Sequence, residues 1–371
     1  MRWYAGVAGV LLLVVVLWDA FETIVLPRRI TRRVRLTRIF YRTTWRPFRA
    51  SARFVRAGGR RESYLSYFGP LSLLLLLALW AAALVVGFGL LQYAGGSAVQ
   101  MANEPAGLGM DLYLSGTTFF TLGLGDVVPR GTFARVLTVG EAGLGFGFLA
   151  IVIGYFPVLY QAFSRRETNI SLLDARAGSP PSAAELLRRH HGTGGAAALE
   201  RLLRDWEYWA AELLETHLSY PLLAYFRSQH TNQSWLAALT TMLDASALIM
   251  VSVQGACARQ ARLTFAMARH AVVDLAQVFG TPPGPAPEAR LPPSLEGLRP
   301  VLAAVGLPLA ESGALDARLA EVRQLYEPYV TALSRFLLQP LPAWRYEHPP
   351  HDNWEASPWE RAQQPPKPED S

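Results

Sequence analysis

The sequence contains very little cysteine and lysine. Among its 371 residues, Cys257 is the only cysteine and Lys367 is the only lysine. A single cysteine excludes an intramolecular disulfide bond and a cysteine-based zinc site. Acidic residues are absent from residues 28–61, a stretch that carries 13 arginines. The formal net charge of +6 is therefore concentrated in this stretch, and the rest of the chain is net acidic.

Long apolar runs are abundant, as expected when hydrophobic residues make up 51% of a chain. The runs predict three membrane helices, over residues 1–27, 64–93 and 132–163, because each can cross about 30 Å of hydrocarbon at about 1.5 Å per residue. A cleaved signal peptide is the alternative for the first run. Its length and the lack of a small-x-small site before Asp19 argue against cleavage.

Two acidic residues, Asp19 and Glu22, lie near the end of the first predicted helix. Acids at such positions are costly unless they are paired. We expect Arg28 and Arg29 to be their partners, and a role in gating is the alternative.

Residues 121–126 read T-L-G-L-G-D and lie between two apolar runs. Glycine tolerates left-handed backbone angles, so glycines at alternate positions allow successive carbonyl groups to turn to the same side of an extended strand. Irregular backbone at membrane depth is tolerated only where it lines a cavity or is buried in protein. A ring of such strands can replace the water around a cation with carbonyl oxygens.

This segment resembles the potassium-channel selectivity filter, T-x-G-[YFL]-G-D, and the resemblance extends over residues 64–166. Residues 110–120 fit the pore helix, Pro129 follows the filter, and Arg135 opens the inner helix. Leu124 replaces the usual tyrosine, and Phe120 stands where many members carry a second threonine.

The resemblance implies an all-α membrane protein whose pore is built from an outer helix (64–93), a pore helix (110–120), a filter (121–126) and an inner helix (132–163). One pore loop per chain implies a homotetramer. The permeant ion would be K⁺, with no organic cofactor, no other metal and no enzymatic activity. The implied ion-binding residues are Thr121, Leu122, Gly123, Leu124 and Gly125.

The same resemblance assigns roles around the filter. Thr117, Asp126 and Glu141 would support it. Gly145 would be the hinge of the inner helix, and three residues below it would form the gate: Phe146, Leu149 and Ile153. Because Glu141 lies inside a predicted span, it needs a partner; we expect Tyr113 or Thr117, in a structural brace, with a proton sensor as the alternative.

Arginines of the 28–63 segment recur every three or four residues, which places them in one stripe on a helix. A voltage sensor is disfavoured, because a single membrane helix precedes the segment and the segment is too polar to span. Nucleic-acid binding also fits a basic run, but membrane lipid is closer. We therefore expect an interfacial helix on anionic lipid, with four contact residues: Arg35, Arg38, Arg42 and Arg46.

Positive charge favours the cytoplasmic side of a membrane. The expected topology is multi-pass in the inner (plasma) membrane of a bacterium, with the amino terminus outside and the carboxyl-terminal domain in the cytoplasm.

The sequence of residues 167–339 predicts a helical cytoplasmic domain. Ser182 and Glu185 have the spacing of a capping box, and the apolar residues 235–253 read as a buried core helix because Asp244 interrupts them. No glycine loop for a nucleotide follows a strand, and the ligand of this domain is not indicated. Residues 340–371 are predicted to be a disordered, proline-rich tail, in which His348 and His351 do not suggest a metal site.

Three other functions remain open at the level of sequence. The chain could be a non-selective cation channel, a subunit of an uptake transporter, or a membrane-tethered enzyme or sensor with the pore unit as its anchor.

Overall fold

The computed structural model describes residues 2–26, 35–56, 58–97, 99–100, 107–190, 194–230, 232–285, 290, 303, 315–346 and 351–355. The chain divides into two compact units, Met1–Gln161 and Ala162–Ser371. Four of the described helices are long and apolar enough to cross a membrane: Arg2–Val25, Gly59–Ala94, Gly131–Ala177 and Trp235–Ser252.

The first unit begins with α1 (Arg2–Ala20), which packs along α4 (Phe68–Ala94). Glycines form the crossing point. A β-carbon on Gly9 would lie 2.8 Å from the carbonyl oxygen of Gly87, and one on Gly87 would lie 2.7 Å from Leu13. Small residues allow membrane helices to approach closely, so this contact depends on both glycines.

Between α1 and α4 the chain forms α2 (Leu36–Ser51) and α3 (Gly59–Ser66). Asp19, near the end of α1, accepts hydrogen bonds from the backbone nitrogen of Thr37 at 3.1 Å and from the indole nitrogen of Trp80 at 3.2 Å. Glu22 pairs with Arg35 at 3.4 Å. The expected partners Arg28 and Arg29 lie outside the described residues.

The rest of the first unit surrounds α5 (Leu108–Phe119). Gly89 of α4 provides the space for Leu112 of α5, because a β-carbon on Gly89 would lie 2.7 Å from that side chain. Strands β1 (Val99–Gln100) and β2 (Val128–Pro129) pair antiparallel on either side of α5 in the sequence.

Helix α6, the predicted inner helix, runs from Gly131 to Ala177 without interruption. The sequence boundary at residue 163 was wrong, because the polar residues that follow continue the helix. Residues 162–177 belong to the second unit, so this unit begins on the inner helix and not in a new segment after it.

The second unit continues with six α-helices within the described residues. They are α7 (Ala183–Arg189), α8 (Gly195–Ser219), α9 (Trp235–Ser252), α10 (Ala256–Phe279), α11 (Leu315–Gln324) and α12 (Glu327–Leu337). The capping box before α7 is confirmed, since the Ser182 hydroxyl accepts from the backbone nitrogen of Glu185 at 3.2 Å.

Helix α9 forms the core of the second unit. Although its length and composition would allow it to cross a membrane, 94% of it is buried, in agreement with the predicted core helix. Its buried Asp244 accepts from the Arg290 guanidinium at 2.9 Å and from the Tyr326 hydroxyl at 2.6 Å. Arg290 also donates to Glu327 at 2.6 Å. These partners compensate the cost of burying the carboxylate.

Part of the predicted disordered tail is packed against the second unit, which corrects that prediction for residues 340–346 and 351–355. Trp344 is buried, and its carbonyl accepts from Ala184 of α7 at 3.1 Å. Asp352 is also buried and accepts from Arg189 at 3.2 Å. The Trp344 ring and the paired Asp352 carboxylate therefore hold the segment in place. Residues 356–371 lie outside the described residues.

Candidate functional site

The filter segment is attached to the end of α5 by backbone hydrogen bonds. The carbonyl of Thr117 accepts from Leu122 at 2.7 Å and from Gly123 at 3.4 Å, and the carbonyl of Thr118 accepts from Thr121 at 3.0 Å. These bonds satisfy carbonyls that the end of a helix would leave without partners. Thr117 therefore contacts residues 122 and 123 through its main chain, while its hydroxyl donates to the Leu114 carbonyl of the same helix. Its role in supporting a filter stays a prediction.

The φ angles of the segment alternate between positive and negative values. Thr121, Gly123 and Gly125 have φ angles of 57°, 54° and 79°, and the residues between them do not have positive φ. Because alternate residues are left-handed, successive carbonyl groups can turn to a common side. The predicted requirement for glycine angles is met at both glycines, and Thr121 adopts the same conformation without being glycine.

Asp126 closes the filter segment and is tied to α5. Its Oδ2 accepts from the Tyr113 hydroxyl at 2.8 Å, and its Oδ1 accepts from the backbone nitrogen of Val127 at 3.0 Å. The filter is thus attached to α5 at both ends. Tyr113, expected to bond Glu141, bonds Asp126 instead.

Glu141 is fully buried on α6, next to α5. Its partner is the hydroxyl of Ser115, and not the expected Tyr113 or Thr117. The same hydroxyl lies 2.7 Å from the carbonyl oxygen of Val85 on α4. Ser115 therefore lies between Glu141 of α6 and Val85 of α4. That this contact braces the filter stays a prediction.

Gly145 lies against the end of α5. A β-carbon at this position would overlap the backbone carbonyl of Phe119. The structure thus gives this glycine a packing role beside the first residue of the filter turn, whereas the sequence suggested a hinge. Bending at Gly145 remains a prediction, and α6 is continuous through it.

The predicted gate residues share one exposed side of α6 in the single chain. Phe146, Leu149 and Ile153 are 69%, 53% and 64% exposed. Apolar side chains of the filter segment are exposed as well, namely Phe120, Leu122 and Leu124. In a helix that can cross a membrane, such side chains are available for contact with lipid or with another copy of the chain.

The four predicted lipid-contact arginines divide into two groups. Arg35 is engaged by Glu22 and by the Thr23 hydroxyl at 3.0 Å, whereas Arg38, Arg42 and Arg46 are exposed along α2. Within the part of the chain that the structure describes, no cluster of three or more His, Cys, Asp or Glu side chains could hold a metal ion.

Two comparisons with known proteins bear on this arrangement. Residues 74–161 match the model of a protein family described as an ion channel, and this range includes α5, the filter segment and the first part of α6. The chain is 22% identical over 192 residues, 51% of its length, to a Bacillus subtilis (strain 168) protein named "Uncharacterized membrane protein YdjJ".

The alignment covers 55% of that relative, so the chain spans about half of the relative's length. No solved structure matches the chain. The family match and the membrane relative support an ion channel that lies in a membrane.

Proposed function

We propose that the protein is a potassium-selective channel that conducts K⁺ passively across the membrane. The observation that carries the proposal is the alternation of positive φ angles at Thr121, Gly123 and Gly125, in a segment held between a short helix and a long apolar helix. A backbone with this alternation can present carbonyl oxygens in a row, as cation coordination without water requires.

The ion sites would be formed by main-chain oxygens. The carbonyls of Thr121, Leu122, Gly123 and Leu124, with the Thr121 hydroxyl, replace the hydration shell of K⁺. Gly125 ends the row of sites, and neighbouring ions repel one another, so that each site binds the ion weakly enough to release it. No resident cofactor or enzymatic step is part of this proposal.

The exposed side chains of the filter segment support a homotetramer as the assembly. One chain supplies one strand, and a closed ring of carbonyls needs four. Leu122 and Leu124 are 61% and 64% exposed, and covering an apolar side chain of this size stabilises an assembly by about 1.5–3 kcal/mol. Neighbouring copies would cover them.

The proposed orientation places the amino terminus outside and the arginine-rich segment inside, in the inner membrane of a bacterium. The second unit would then be cytoplasmic. Because it includes the last turns of α6, a change in this unit would act directly on the inner helix. We propose that it regulates the channel or its assembly, by a ligand whose identity is open.

Flux through the purified full-length protein in liposomes tests the proposal. A K⁺ gradient should drive flux that Na⁺ does not support, and a cross-linked sample should run as four chains. Equal K⁺ and Na⁺ flux would instead favour a non-selective cation channel. Absence of flux from a verified tetramer would favour a membrane anchor for the second unit.

A further inference from the structure

We propose that the exposed side of α2 is a docking surface for the anionic phospholipid headgroups of the membrane leaflet that it borders. The surface, here called the arginine face, is defined by three residues: Arg38, Arg42 and Arg46. The proposal is independent of ion selectivity in the filter.

The start of α2 is fixed at the end of the first membrane helix. Asp19 lies in the last turn of α1, and it accepts hydrogen bonds from both the backbone nitrogen and the hydroxyl of Thr37, in the first turn of α2, at 3.1 and 2.5 Å. The ion pair of Glu22 with Arg35 adds a second contact between the same two segments. Since α1 is an apolar membrane helix, α2 begins at the membrane boundary.

Aromatic side chains of α2 that flank the arginine face are packed, which limits the direction of the arginines. Trp45 is buried, with its ring 4.7 Å from that of Phe68 on α4. Phe48 stacks on Tyr64 of α3 at 4.6 Å. With this aromatic side held against α3 and α4, the i, i+4 spacing of the arginine face presents its three side chains together on the exposed side.

The charge of the arginine face is not neutralised by its surroundings in the sequence, because residues 28–61 contain no acidic residue. Anionic headgroups supply the complementary charge. Arg35, which the sequence placed in the same set, is excluded because Glu22 and Thr23 occupy its guanidinium.

Apolar side chains accompany the arginines and favour a lipid over a soluble anion. Ile39 lies between Arg38 and Arg42 and is 47% exposed, and Phe54, just beyond α2, is 92% exposed. These apolar side chains contribute no binding free energy for a free phosphate. A phospholipid contacts them with its acyl region while its phosphate meets the guanidinium groups, which is the binding mode of an interfacial helix.

The test compares lipid retention by full-length variants in neutral detergent, measured by native mass spectrometry against added phosphatidylglycerol and phosphatidylcholine. The parent should retain phosphatidylglycerol preferentially. Arg38→Gln/Arg42→Gln/Arg46→Gln should weaken this binding by on the order of 100-fold, and replacement of the same residues by lysine should preserve most of it.

A matched control removes three exposed arginines from the second unit: Arg201→Gln, Arg259→Gln and Arg262→Gln. It should retain phosphatidylglycerol like the parent, and both triple variants should keep the parent's melting temperature. Equal losses in the two variants, or undiminished retention in the α2 variant, would overturn the proposal. Displacement of the lipid by a large excess of inorganic phosphate would also overturn it, because the surface would then select a soluble anion.

Discussion

Single backbone angles decide the shape of the filter segment. Thr121 has a φ of 57°, a conformation that is strained for a β-branched residue. The hydrogen bonds of Thr121 and Leu122 to the end of α5 hold it there. Strain of this kind persists only where the surroundings enforce it, and it concentrates at functional sites.

The two filter glycines carry the same angles without strain, which leads to the first prediction. Replacing Gly125 with alanine places a β-carbon at φ 79°, at a cost of roughly 1–2 kcal/mol per chain. Because each of the four filter strands would bear this cost, we expect K⁺ flux in liposomes to be lost while the tetramer still forms.

Gly116→Ala is the matched control for this change. Gly116 lies in α5 with ordinary helical geometry, and its added β-carbon would be 3.9 Å from Val85. It should conduct like the parent. Selective flux through Gly125→Ala at the parental level would contradict the role of residues 121–125 as a filter.

Contacts between α6 and α5 lie next to the predicted filter segment. Helix α6 touches the end of α5 through Gly145 and Phe119, and it reaches the middle of α5 through Glu141 and Ser115. The first contact requires the absence of a side chain, and the second requires a hydrogen bond between buried groups. Both contacts join α6 to α5, the helix that precedes the predicted filter segment.

The contact at Gly145 gives a prediction for α6. Gly145→Ala should push the Phe119 carbonyl away and alter the turn that begins the filter, so that K⁺ flux falls at least tenfold and the tetramer melts at a lower temperature. Gly147→Ala is the control, because no atom beyond the adjoining backbone of its own helix lies within 4 Å of its added β-carbon. The proposed hinge function would be favoured over the packing role if Gly145→Ala kept both filter selectivity and melting temperature but changed only channel opening.

Patterns that are local in the sequence could be predicted from it. Glycine spacing indicated the left-handed angles at Gly123 and Gly125, and Asp244 within an apolar run indicated that α9 is a core helix. Contacts between distant segments could not be predicted in this way. Ser115 contacts Glu141 because α5 and α6 pack at one particular rotation. Trp344 is buried although it lies in a proline-rich segment.

At the scale of the whole molecule, one helix belongs to both units. The end of α6 is anchored in the second unit by Arg166, which is buried and donates to the carbonyls of Leu223 at 2.8 Å and Phe226 at 2.9 Å, and to Glu167 at 2.9 Å. The buried His217 lies 3.3 Å from the same guanidinium. Arg166 thus holds this end of α6 to the segment that follows α8, within the second unit.

The protonation state of His217 follows from its contacts. Arg166 can only donate, so Nε2 of His217 accepts, and Nδ1 then carries the proton that it donates to the Leu213 carbonyl at 2.8 Å. A second proton would point at a buried cation. Burial and the charge of Arg166 accordingly lower the pKa of His217 well below its usual value.

This arrangement predicts that a fall in pH destabilises the contacts of Arg166 and His217. Below about pH 6.5 the unfolded segment binds a proton that the folded one excludes, so the stability contributed by neutral His217 is lost as the pH falls, by at most about 1.36 kcal/mol per pH unit. Hydrogen exchange of the full-length protein should show faster opening of residues 213–226 at pH 5.5 than at pH 7.5, after correction for intrinsic rates.

His217→Gln keeps an acceptor for Arg166 but cannot be charged, so it should remove this acid response even if it lowers stability at both pH values. His270→Gln, at an exposed position on α10, should leave the response intact. If the parent and His217→Gln open to the same extent on acidification, then protonation elsewhere controls this end of α6.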